Sequence, residues 1–104
     1  MPTRNITAAR LSKLSFTVSD LLAGVEGSDA TEIVHEARIL EKLADECGAG
    51  LLGMTALKIE LAAAVGDLDA VQSIIPEFKK QLQQVLEDLN LQIQSEVDHA
   101  VPET

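Results

Sequence analysis

The chain has 104 residues, enough to bury one hydrophobic core and not two. Its 8 Lys and Arg against 17 Asp and Glu leave a formal charge of −9, the wrong sign for gripping nucleic-acid phosphates or an anionic membrane. Two Phe, with no Trp or Tyr, leave little on which bases or sugars could stack, and the single cysteine, Cys47, excludes an internal disulfide and argues against a cysteine-based zinc site.

Gly and Pro punctuate a sequence that otherwise reads as helix throughout. The N-terminal stretch MPTRNITAARLSKL has no apolar run of signal-peptide type. The first segment, residues 7–25, repeats Leu11, Leu14, Val18, Leu21, Leu22 and Val25 at steps of three and four, the period of a helix with one buried stripe. Ser15 or Thr17 is a possible break, which would make an extra short N-terminal helix. A loop is expected over residues 24–28.

The second helix starts at Asp29, whose carboxylate can accept the unpaired amides of the first turn, with Glu32 three residues on as in a capping box. Its core stripe reads Ile33, Ala37, Leu40, Ala44 and Cys47, and Gly48 suits a left-handed C-terminal cap. The opposite face carries Thr31, His35, Arg38, Lys42 and Asp45. The third helix, residues 51–65, presents Leu52, Ala56, Ile59 and Ala63, with Leu61 beside them, and ends at Gly66. Asp67 caps a long last helix extending to residue 97, with the stripe Val71, Ile75, Phe78, Leu82, Val85 and Leu89 and an expected kink at Pro76. Residues 98–104 are expected to fray. Amphipathic helices joined by short loops predict a single all-α domain over residues 1–104: an up-and-down four-helix bundle, ordered over 7–97, with a long C-terminal helix. No apolar run is long enough to span a membrane, so the expected setting is cytoplasmic.

Enzyme motifs are absent: there is no nucleophile elbow, no Gly-rich phosphate loop and no zinc-protease helix. Glu32 and His35 have the Glu-x-x-His spacing of di-iron bundles, but no second copy exists, so no metal and no cofactor are expected. An acyl carrier arm would need Asp-Ser-Leu, and the order here is Ser19-Asp20-Leu21.

From Gly27 to Leu89 the sequence resembles a histidine phosphotransfer (HPt) domain. Ala37, Leu40, Gly48, Ala49, Leu52, Ile59, Glu60, Gly66 and Asp67 fall without a gap on that family's pattern of an acceptor helix, a Gly-Ala turn, a Leu-Glu pair and a Gly-Asp turn. The resemblance implies a phosphorelay protein with no catalysis of its own, which docks a response-regulator receiver domain or a sensor histidine kinase. The centre of the pattern departs from the family. Arg38 stands where the phosphorylated histidine belongs, Glu41 where a lysine does and Lys42 where a glycine does. A guanidinium stays protonated and has no free lone pair to accept a phosphoryl group.

His35 lies one turn before Arg38, with Lys42 further along the same face. This spacing makes His35 a possible shifted phosphoacceptor, with Arg38 and Lys42 neutralising charge. His35-Glu36-Ala37-Arg38 also looks like the start of the kinase phosphoacceptor box, whose following proline is missing here. Without His35 in that role the chain is a pseudo-HPt, whose docking face would run over residues 31–45 and include Thr31, Arg38, Glu41, Lys42 and Asp45. His99, in the expected tail, has no role assigned. The rival reading is a helical interaction or oligomerisation module unrelated to phosphorelay, pairing through Leu91, Ile93 and Val97. A monomer is expected in preference to a dimer.

Overall fold

The computed structural model describes residues 6–100 of the chain, and the side chains of residues 9–91. Four helices make up the described residues: α1 (Ile6–Glu26), α2 (Ala30–Glu46), α3 (Gly50–Ala64) and α4 (Leu68–Ala100). Each packs against its neighbour in sequence, and α4 closes the ring against α1, which gives the predicted four-helix bundle. No helix among the described residues is long and apolar enough to cross a membrane.

The three connections are equally short and chemically alike. In each, one residue takes a left-handed conformation: Ser28 at φ 54°, Gly48 at φ 72° and Gly66 at φ 79°. The next amide then reaches back to an orphan carbonyl of the helix just ended. Asp29 N–H donates to Gly24 O at 2.9 Å, Ala49 N–H to Ala44 O at 2.8 Å and Asp67 N–H to Ala62 O at 2.9 Å. Two of the following helices are capped as predicted, with Asp29 accepting from Glu32 N–H at 3.2 Å and Asp67 from Ala70 N–H at 3.0 Å. A methyl group at Gly48 or Gly66 would meet nothing within 4 Å, so backbone conformation alone sets the cost of replacing them. Gly48→Ala and Gly66→Ala should each destabilise by about 1 kcal/mol in urea unfolding followed by circular dichroism. Wild-type stability in both variants would contradict the left-handed turns.

The N-terminal segment differs from expectation. It is one helix, uninterrupted at Ser15 and Thr17, so there is no separate short helix among the described residues. Thr17 instead turns its hydroxyl back to Lys13 O at 2.8 Å, a bond made inside the helix. Helix α1 also continues through Gly24, which was expected in a loop. There α2 approaches closely: a methyl group at residue 24 would lie 3.2 Å from Glu32 Cγ and 3.3 Å from Ile33 Cγ1. Gly24 therefore works as a contact point between helices rather than as a breaker.

The core is one cluster drawn from all four helices, with Leu14, Leu21, Ile33, Leu40, Leu52, Ile59, Val71 and Phe78 fully enclosed. Several expected core positions are not fully buried. Cys47 is only half-buried, packed at the rim, and burial pushes its thiol above the usual range. Ile75, Leu82 and Val85 of the α4 stripe and Leu11, Leu22 and Val25 of the α1 stripe are partly buried. Leu61 lies on the outward face of α3, 58% exposed, because its position is half a helical circumference from Leu52 and Ala63. Pro76, on the exposed side of α4, does not end that helix, which continues to Ala100. The end of the tail expected to fray, residues 101–104, lies outside the described residues, as do the side chains of Ile93, Val97 and His99.

Candidate functional site

Helix α2 sets the site, because its core stripe fixes which residues face outward. With Ile33, Ala37, Leu40 and Ala44 buried, Thr31, His35, Arg38, Lys42 and Asp45 are all exposed. Glu41 is half-buried at the seam with α3.

The acceptor position of the HPt pattern is occupied by an ion pair. Arg38 Nε donates to Glu60 Oε2 of α3 at 2.7 Å, a charge-assisted bond between two helices. Arg38 is 71% exposed and Glu60 only 12%, so the guanidinium lies over the carboxylate like a lid. Among the described residues this is the one pair within 4.0 Å between Arg or Lys and a carboxylate. Glu41 adds a third member. Burial, and next a side-chain hydrogen bond with Glu60, push its carboxyl up to about 7. Glu60 moves the other way, held below the usual carboxylate range by its bonds with Glu41 and Arg38. Where Glu41 holds its proton it can donate to the Glu60 carboxylate, which also accepts from Arg38. The Glu41 Oε2 atom is buried with no donor facing it, which fits a carboxyl that keeps its proton better than one that has lost it.

His35 is placed differently. Its side chain is 67% exposed, and its Nε2 lies 4.0 Å from Glu36 Oε2. Glu36, the sequence neighbour of His35, is buried, which its position in the sequence did not announce. Its carboxyl is raised above the usual range by burial first, and next by the carboxylates of Asp20 and Glu32. A carboxyl therefore stands beside the imidazole. Arg38, one turn on, has its Nε committed to Glu60.

The remaining predicted residues line two open grooves beside α3. Thr31 borders one with Val34, Ala63 and Ala64. Asp45 and Glu41 border another with Gly53, Met54 and Leu57. Lys42 stands exposed on the outer face of α2. No group of three or more His, Cys, Asp or Glu among the described residues is arranged to hold a metal ion.

Sequence reasoning missed a feature of α3. Its outward face carries Leu51, Met54, Leu57, Leu61 and Val65, all exposed, in a line along the helix. The signal was present, since these positions recur at three- and four-residue steps opposite the buried stripe. The fold and this face define an all-α four-helix bundle that presents polar chemistry on α2 and an apolar stripe on α3. Compared with known protein families, curated proteins and solved structures, the chain matches none of them.

Proposed function

We propose that this chain is a non-catalytic docking module of phosphorelay type, a pseudo-HPt bundle that presents the exposed face of α2 to a receiver domain or sensor kinase in the cytoplasm. The observation that carries this reading is the Arg38–Glu60 pair at the acceptor position. A guanidinium bonded to a carboxylate neither attacks an aspartyl phosphate nor leaves room for an imidazole that would. The Glu60 carboxylate beside it, with Glu41 adding negative charge only where it has lost its proton, disfavours an incoming phosphoryl group. His35 is a poor substitute, because Arg38 turns toward α3 and Glu36 stands beside the ring. Such a module occupies its partner without accepting phosphate, as a competitor or a scaffold. In this reading the module acts as a monomer, with no cofactor and no reaction of its own.

A second reading, a helical interaction module unrelated to phosphorelay, is favoured by the apolar stripe on α3.

One experiment separates them. Phosphoryl transfer from a panel of phosphorylated receiver domains is measured on the wild type, His35→Ala and Arg38→His, with receiver binding followed by calorimetry. The proposal expects no acid-labile label on the wild type, binding of at least one receiver, and label on Arg38→His. Label on the wild type that disappears in His35→Ala would instead make His35 a working acceptor. No label and no receiver binding in all three proteins would remove the phosphorelay reading and leave the interaction module.

A further inference from the structure

Helix α3 is apolar on two sides. One side is core; the other, from Leu51 to Val65, faces solvent along about 20 Å of helix. Val65 is 79% exposed, and Leu51, Met54 and Leu61 are each more than half exposed. Large side chains in a row on a small bundle mark a surface that something covers.

The rims say what kind of partner suits it. On the α2 side the groove beside Met54 and Leu57 is bordered by the carboxylate of Asp45, with the half-buried Glu41 carboxyl next to it. On the α4 side the groove beside Leu51 is bordered by Asp88 with Gln81 and Gln84. Glu77 stands one turn before Gln81, accepts from it at 3.1 Å, and so extends that acidic rim. Lys58 is exposed on this same face, one turn from Met54 and Leu61, and the carboxylates of the two rims that no cation pairs among the described residues, Asp45, Glu77 and Asp88, outnumber it; the one anion of α3, Glu60, is paired with Arg38. An apolar face with one lysine, between rims that carry these three carboxylates, complements an amphipathic helix with a narrow apolar stripe flanked by Lys or Arg. A second copy would bring acidic rims against acidic rims on chains of formal charge −9. An anionic membrane would meet the same repulsion.

We propose that the outward face of α3 is a docking groove for a basic amphipathic helix of another protein. This inference uses neither His35 nor Arg38 and does not rest on the phosphorelay reading.

The test uses the full chain and two fluorescein-labelled synthetic peptides. Both carry Leu at i, i+3, i+4 and i+7; the intervening positions are Lys in one peptide and Glu in the other. By fluorescence anisotropy the Lys peptide should bind at least about tenfold more tightly than the Glu peptide, and should weaken several-fold as salt rises from low to physiological. The double variant Met54→Gln, Leu61→Gln alters only exposed side chains and should fold as the wild type does by circular dichroism. It should lose about tenfold in Lys-peptide affinity, which separates docking on α3 from general attraction to an acidic protein. Equal binding of both peptides, or Lys-peptide binding that the double variant leaves unchanged, overturns the proposal. So does a dimer in sedimentation that the double variant abolishes, because a second copy then covers the face.

Discussion

Phe78→Ala should destabilise the bundle by about 3–5 kcal/mol, whereas Phe16→Ala should cost under about 0.5 kcal/mol. These are the two aromatic residues of the chain, and the fold uses them oppositely. Phe78, on α4, is fully enclosed and is the largest side chain in the core. Phe16 is 73% exposed on α1, two positions from the buried Leu14 and Val18 and so turned away from them. Removing a buried ring forfeits its transfer free energy and leaves a cavity that helices with fixed backbones fill poorly. Domains of this size are stable by about 5–15 kcal/mol in total, so the loss is a large fraction of what exists. It should lower the Tm by about 15–30 °C, at roughly 4–8 °C per kcal/mol. With no Trp or Tyr in the chain, circular dichroism at 222 nm during urea and thermal unfolding is the suitable readout. Comparable losses in the two variants would mean that α4 does not present Phe78 to the core.

The contrast between these residues shows which parts of the fold are local. Asp29, Gly48, Gly66 and Asp67 announce helix ends because capping and left-handed turns depend on a few adjacent residues, and the observed hydrogen bonds bear them out. The stripes Ile33–Ala37–Leu40–Ala44 and Leu52–Ala56–Ile59–Ala63 are readable because the helical period sorts them onto one face, and every member is buried. Leu61 is not readable in the same way: α3 carries apolar residues on two sides, and Leu61 belongs to the second stripe, which faces solvent. Gly24 looks like a breaker until α2 is placed against it. The site is less legible still. The outward residues of α2 follow from its stripe, but Arg38 meets a carboxylate 22 positions away on another helix. Glu41 reads as an ordinary surface acid until its burial and its nearness to Glu60 are known.

That acid leads to the second large effect, a fall in stability as pH rises from about 5 to 8. The sign follows from proton counts. In the unfolded chain Glu41 loses its proton near the usual carboxylate pKa, about 4.3, whereas in the bundle it keeps it up to about 7. Between those values the folded state holds the extra proton, so stability declines with rising pH across this window and levels off above about 7. Glu60 acts oppositely. Its folded pKa is lowered, so its contribution is present above the unfolded value and is lost as pH falls through the folded one. Together the two carboxyls place the stability maximum near the unfolded carboxylate pKa, about 4.3. Glu41 is half-buried, and solvent screening limits its effect to about 1–2 kcal/mol, several degrees in Tm. Glu41→Gln tests this directly, because an amide can donate to Glu60 as the protonated acid does, and carries no charge at any pH. The variant should match the wild type near pH 5, exceed it at pH 8, and show a flatter Tm between them. Glu60→Gln, by contrast, removes the acceptor that both Arg38 and Glu41 use; it should lower stability at pH 8 and bring the Glu41 carboxyl down. If the Tm of Glu41→Gln falls with pH as steeply as that of the wild type, the decline originates in the remaining charge of the chain and not in the proton shared across α2 and α3.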